Sequence, residues 1–176
     1  GVPLDCLARA GACHLGQTHP VSNVTSCYET HYDIILRGVN MSLLKIAQIG
    51  HPILRQTARA LTTDEIKSPG IQNFIDDMIE TMRDANGAGL AANQVYNPIQ
   101  ICVLEVENNP RYPYKPRIPL EVLINPIITV LSDEQFENFE GCLSVPNIRG
   151  RVRRKAEIQM DYIDREGTLH QKIVRG

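Results

Sequence analysis

No apolar run in the chain is long enough to cross a bilayer. Nor is there an excess of either charge: the net charge is -2, which gives no general attraction to nucleic acid or to an acidic membrane surface. Internal repeats and low-complexity tracts are missing, so solenoid and linker architectures are excluded. Gly87-Ala88-Gly89 lacks the third glycine, the preceding strand and the following Lys-Ser/Thr pair of a phosphate loop. No Ser-His-Asp arrangement can be proposed from the spacing. The five cysteines, Cys6, Cys13, Cys27, Cys102 and Cys142, are odd in number and irregular in spacing, which argues against a disulfide framework and for a reducing compartment. Asn23-Val24-Thr25 and Asn40-Met41-Ser42 match the glycosylation pattern, but nothing else suggests secretion.

The 176 residues suffice for one domain, or one domain plus an arm, and 43% hydrophobic residues suffice for a core. Residues 1–40 differ from the rest. They carry three of the five cysteines and three of the five histidines without a sustained helical or strand period. They read as a non-native, upstream-translated or disordered extension ahead of Met41-Ser42. Acidic residues and few arginines make them a poor transit peptide, and Cys6, Cys13, His14, His19, Cys27 and His31 match no compact metal-knuckle spacing.

The clearest helix is expected over residues 69–85, with Ser68 as cap, Pro69 in the first position and Gly87 just past the end. Ile71, Phe74, Ile75, Met78, Ile79 and Met82 form its apolar stripe. Strands are expected over residues 99–106, where Cys102 reads as a structural thiol, and over 121–124, 127–131, 157–163 and 168–174. Residues 164–167 form a hairpin turn, and the proline-rich 107–119 a loop. One helix followed by short strands predicts an α+β fold of antiparallel sheets around a helix. The basic run Arg151, Arg153, Arg154 and Lys155 reads as a solvated strand face.

Two segments can carry chemistry. In Gly87-Ala88-Gly89-Leu90-Ala91-Ala92-Asn93-Gln94, small residues let another backbone approach closely, and Gln94 offers an amide donor of the kind an oxyanion needs. The same Gly-Ala-Gly also serves as a plain helix stop and tight turn. In Glu140-Gly141-Cys142-Leu143-Ser144, an accessible Cys142 can act as nucleophile or metal ligand, or be simply structural.

Together these two segments resemble, without gaps, the first two signature motifs of the peptide deformylases. Gly50-His51-Pro52-Ile53-Leu54-Arg55, Leu123-Ile124-Asn125-Pro126, Arg149 and Arg154 add to the resemblance, which covers about residues 41–176. It implies a metallohydrolase that removes the formyl group from the N-terminal methionine of newly made proteins. Cys142 would bind a divalent metal, ferrous iron first, with zinc, nickel or cobalt able to substitute. The Gln94 side chain and the Leu143 N–H would stabilise the oxyanion. The backbone at Ala88 and Gly89 would pair with substrate as an added strand. Glu140 and Leu143 would wall the methionine pocket, with Arg149 also at the substrate site. Formyl-methionyl nascent peptides are the implied partners, with the ribosome nearby and no membrane or nucleic acid engaged. The implied location is the cytoplasm of a bacterial-type cell, or an organelle.

The family's third motif, His-Glu-x-x-Asp-His on a helix, is not in this sequence. It would supply two further ligands and the general base. The expectation is therefore a domain lacking its C-terminal metal-binding helix, with an exposed apolar face, poor metal binding and no turnover. Two other readings compete. One is a non-catalytic relative that holds peptide N-termini or docks near the ribosome. The other is a cysteine hydrolase pairing Cys142 with His51 or His170.

Overall fold

In the computed structural model the described residues are 42–107 and 117–175. The reading of residues 1–40 as an extension, the metal knuckle within it, and Pro110, Pro113 and Pro116 lie outside them.

Helix α1 is a single turn, Thr63–Ile66, which the sequence pattern does not separate from its surroundings. It is set by a capping box: the Thr62 N–H donates to Glu65 Oε2 at 2.8 Å, and the Glu65 N–H donates to Thr62 Oγ1 at 3.3 Å. Helix α2, Pro69–Asp84, follows the expected span. Ser68 Oγ accepts from the Ile71 N–H and Pro69 occupies the first turn. Its stripe is buried at Ile75, Met78, Ile79 and Met82, with Ile71 and Phe74 half-buried against the same cluster.

The end of α2 corrects the sequence reading in one detail. Asn86, not Gly87, takes the left-handed conformation, with φ +51°. The Asn86 N–H reaches Arg83 O at 2.9 Å and the Gly87 N–H reaches Met82 O at 2.8 Å, so Gly87 is the second residue beyond the cap. Its lack of a side chain serves packing: a Cβ there would lie 2.8 Å from Leu143 Cδ1 and 3.3 Å from Met82 O.

Among the described residues seven strands form two antiparallel sheets. β1 (Gly89–Ala91), β2 (Ile101–Val106), β3 (Ile118–Val130), β6 (Glu157–Ile163) and β7 (Leu169–Arg175) form the larger sheet in the order β1-β2-β3-β6-β7. β4 (Gln135–Cys142) and β5 (Val145–Lys155) form a hairpin of their own. The α+β expectation therefore holds, with three corrections.

First, the strands expected over 121–124 and 127–131 are one strand that changes partner. β3 pairs with β2 up to Ile124, opposite Ile101, and with β6 from Ile124, opposite Ile163, onward through Ile127, opposite Asp161. Asn125-Pro126 is the bulge at which the partner changes, and Asn125 absorbs it at φ +50°. Second, Pro119 lies inside β3 and not in the preceding loop. It sits where the β2 pairing is irregular, between Leu104↔Glu121 and Val106↔Ile118, so a missing N–H is tolerated. Third, the β4–β5 hairpin is absent from the sequence-based expectation. Most of its residues are exposed on both faces, so the apolar/polar alternation that marks a half-buried strand is weak.

The core lies between α2 and the β1–β2–β3 end of the larger sheet, where Ile75, Met78, Met82, Leu90, Val103 and Ile124 are fully buried. The other end of that sheet is sparsely covered: Ile127, Ile128, Val130, Ile173 and Val174 remain exposed. The basic run on β5 is a charge-paired strand face. Arg153 binds Glu137 at 2.8 Å, Arg154 grips Glu140 with two nitrogens at 2.8 and 2.6 Å, and Lys155 reaches Asp133 at 3.0 Å.

Candidate active site

The site begins where α2 ends. The chain turns at Asn86-Gly87 into β1, which pairs with β2 through Gly89↔Leu104, Leu90↔Val103 and Ala91↔Cys102. Buried Leu90 fixes this short strand to the core. β1 is an edge of the sheet, so its second side carries no partner strand among the described residues. The chain then tightens into a 3-10 turn, Ala92–Val95, which brings Gln94 back beside β1. There Gln94 Oε1 accepts the Ala91 N–H at 2.9 Å, and the Gln94 carbonyl accepts the Ala47 N–H at 2.7 Å.

The β4–β5 turn supplies the opposing wall. Cys142 ends β4 and is exposed. Leu143 packs inward against the core and against Gly87. Ser144 is buried, and its carbonyl accepts the Ile49 N–H at 2.8 Å. The two walls meet at the Gln94 side chain: Nε2 donates to Ser144 Oγ at 3.1 Å and lies 3.6 Å from Cys142 Sγ. A helix stop, an edge strand and a hairpin tip thus converge on one amide and one thiol, 48 residues apart in sequence.

Two clefts share this tip. The smaller, of about 270 Å³, is lined by residues 86–89, Gln94 and 141–143. The larger, of about 470 Å³, is lined by residues 141–143 and 145–149. Of the residues singled out from sequence, Gln94, Cys142, Leu143, Ala88 and Gly89 gather at the smaller cleft, and Arg149 lines the larger one. Glu140 lines neither. Its carboxylate is held by Arg154, whose hydrogen bonds pull it below the usual carboxylate range. Sequence reasoning missed Ser144 as a site residue. Its only mark was adjacency to Cys142-Leu143, and a small hydroxyl side chain in a turn predicts no partner.

Neither histidine considered as a base comes to the thiol. His51 Nδ1 accepts the Ile53 N–H at 3.2 Å, capping the 3-10 turn Pro52–Arg55, and its ring meets the Tyr96 ring edge-on at 4.9 Å. His170 Nε2 is 2.6 Å from Asp164 Oδ2 and its ring stacks on Tyr162. No histidine lines either cleft. Cys102 sits in β2, and burial pushes its thiol up, as expected of a structural cysteine.

The donor set can be tested against a metal. A hydrolytic cation of this kind takes three protein donors and keeps an open position. Among the described residues no three His, Cys, Asp or Glu side chains converge, and Cys142 is the one such side chain lining the two clefts. The described residues therefore do not by themselves fit a complete metal centre.

Acid sensitivity follows from the ion pairs that brace the site. Glu105, on β2 opposite β1, is held below its ordinary value by hydrogen bonds from Arg83 at 2.8 and 3.1 Å. Glu140, beside the Cys142 turn, is held down by Arg154. Both folded values are depressed. Their stabilisation is thus complete above the unfolded carboxylate value of about 4.3 and is lost as pH falls through the folded values. The urea midpoint should stay level from about pH 7 to 5 and fall below about pH 4. A chain carrying Glu105→Gln and Glu140→Gln should show a shallower fall. Equal slopes for the two chains would refute this assignment.

The fold and these motifs have close counterparts. The family model described as polypeptide deformylase matches residues 43–176. The peptide deformylase of Leptospira biflexa is 42% identical over 137 residues, covering 77% of this chain and 76% of the relative. Peptide deformylase 2 of a Nostoc species is also 42% identical, over 136 residues, covering 77% and 75%. Among solved structures, a Met-Ala-Ser-bound class I type b peptide deformylase from Acinetobacter baumannii superposes with a TM-score of 0.73 at 34% identity, covering 77% of this chain and 86% of that one.

Proposed function

This chain belongs to the polypeptide deformylase family, and on that premise we propose that its site recognises the formyl-methionyl N-terminus of a newly made protein for hydrolysis of the formamide. The observation that carries the reading is the meeting of Gln94 Nε2 and Cys142 Sγ beside the edge of β1 that no strand among the described residues pairs with. A peptide laid along that edge adds a strand through the backbone at Ala88 and Gly89. Its formyl oxygen then receives the Gln94 amide and the Leu143 N–H, two neutral donors aimed at the charge that grows during hydrolysis. The methionine side chain is placed against Leu143, and Arg149 in the larger cleft is near enough to the hairpin tip to meet the rest of the substrate.

The Cys142 thiolate is the proposed donor to a divalent metal, with Fe2+ preferred over Zn2+, Ni2+ or Co2+. The described residues offer one donor of the three required, so they do not by themselves carry a metal-dependent step. For the described residues alone the proposal is recognition, since hydrolysis requires donors that they do not supply. The second reading is a non-catalytic relative that holds peptide N-termini or docks near the ribosome. Residues 1–40 are proposed as an arm outside the deformylase-like domain of residues 41–176. Nascent chains, and with them the ribosome, are the proposed partners, in the cytoplasm or an organelle. No helix among the described residues is long and apolar enough to cross a membrane.

Formate release and peptide affinity, measured side by side on the 176-residue chain supplied with Fe2+, test this. Binding of formyl-Met-Ala-Ser in preference to the same peptide with a free amine, without formate above background, is the expected result. Formate release would overturn the expectation of no turnover. Equal affinity for the two peptides would overturn the recognition itself.

A further inference from the structure

We propose that Ser144 is a positioning residue: its hydroxyl holds the Gln94 carboxamide so that one N–H faces the Cys142 side of the cleft. This inference rests on the formyl-recognition reading and extends it to a residue outside the oxyanion and metal roles.

A glutamine side chain ends in a torsion with broad preferences, so an exposed Gln amide does not hold one direction unaided. Gln94 is held at two points. The Ala91 N–H donates to Oε1 at 2.9 Å, which settles which end of the amide is oxygen, because a flipped amide would set N–H against N–H. That contact alone is a pivot about which the NH2 group can still swing. The second point is Ser144 Oγ, 3.1 Å from Nε2, which accepts one of the two amide hydrogens. With oxygen and one hydrogen committed, the remaining hydrogen is on the side of Cys142 Sγ, 3.6 Å from the nitrogen.

Ser144 is suited to hold rather than to follow. It is 3% exposed, and its backbone is pinned because its carbonyl accepts the Ile49 N–H at 2.8 Å. Its neighbour Leu143 is wedged against the Gly87 backbone, which further fixes the turn. Neutral donors assist an oxyanion to the extent that they are already aimed when charge develops. A serine that removes one rotational freedom from the donor therefore acts on recognition of the formyl oxygen without touching it.

The test uses the 176-residue chain, 15N-labelled, as wild type, Ser144→Ala and Ser144→Thr, with Ser144→Cys as a second hydroxyl replacement that keeps a weak acceptor in case threonine crowds the turn. The two Gln94 side-chain N–H signals are identified by their loss in Gln94→Leu. Their exchange with solvent is measured alone and with formyl-Met-Ala-Ser or its free-amine counterpart. In the wild type one hydrogen should exchange slowly and the other should shift only with the formylated peptide. Ser144→Ala should speed exchange of the slow hydrogen, and lower the preference for the formylated peptide, by about fivefold to tenfold each, the change that goes with losing one neutral hydrogen bond. The Ile49 backbone amide, bonded to the Ser144 carbonyl, should be unchanged in that variant. Ser144→Thr should restore both effects and Ser144→Cys part of them. Unchanged Gln94 exchange in Ser144→Ala overturns the positioning role. Exchange that responds as expected in a wild type blind to the formyl group overturns the formyl-recognition reading instead, and with it the link from Ser144 to recognition.

Discussion

Asn125→Ala should destabilise the chain by about 3 kcal/mol, a large effect for a single amide at a half-buried bulge. Asn125 Oδ1 accepts the Leu61 N–H at 2.9 Å and its Nδ2 donates to Leu61 O at 2.8 Å, so one side chain satisfies both backbone groups of a residue that is 5% exposed. Alanine leaves both groups without these partners in a place water reaches poorly, at about 1 kcal/mol or more for each. It also keeps a Cβ at φ +50° without the local polar contacts that let asparagine tolerate that region. Asn125→Gly removes the same two hydrogen bonds but relieves the backbone, so its cost should be smaller by about 1 kcal/mol. Urea denaturation of the three chains measures the order. An alanine variant within about 1 kcal/mol of wild type, or a glycine variant worse than alanine, would show that the bulge is held by something else.

Met82→Ala should cost about as much for a different reason. Met82 is fully buried in the last turn of α2, and its carbonyl accepts the Gly87 N–H. Truncation removes three heavy atoms from the core and leaves a cavity that its neighbours fill only partly, which places the loss at about 3 kcal/mol. The site should register it too. Met82 Cγ lies 3.4 Å, and Leu143 Cδ1 2.8 Å, from where a Gly87 Cβ would stand, so these side chains meet around one glycine. The cavity should let the Leu143 turn move, so its backbone amide should exchange faster in Met82→Ala than global destabilisation alone predicts. Exchange that tracks global stability would separate the helix end from the site.

How much of the fold is legible in the sequence depends on how much each segment buries. Helix α2 is readable almost to the residue because one face is buried along its length and Ser68, Pro69 and Gly87 punctuate it. β6 and β7 are readable from the alternation of β6 and the Asp164–Gly167 turn. The hairpin bearing Cys142 is not, because strands exposed on both faces carry little period. Asn125-Pro126 looks like a strand end because asparagine and proline mark turns and bulges alike. Only the change of partner from β2 to β6 tells the two apart, and that pairing is non-local.

The candidate site divides the same way. Gln94 and Cys142 stand out as members of two separate motifs, and their meeting is tertiary, set by the docking of the hairpin tip through Ser144 O on Ile49. Glu140, expected at the methionine pocket, has its carboxylate held by Arg154 across the hairpin. Glu140 and Arg154 are not directly opposite, since Glu140 pairs with Gly150, yet the long arginine reaches from β5 to β4 to take both carboxylate oxygens.

The most direct test of formyl recognition is the alkylation rate of Cys142, followed by mass spectrometry of the peptide that contains it, with and without bound ligand. Cys142 is exposed and lines both clefts, so it should react readily in the free chain. Saturating formyl-Met-Ala-Ser should slow that reaction about tenfold, whereas the same peptide with a free amine should leave it nearly unchanged, and Gln94→Leu should erase the difference. Equal alkylation rates with the two peptides in the wild-type chain would contradict the claim that the formyl group is received between Gln94 and Cys142.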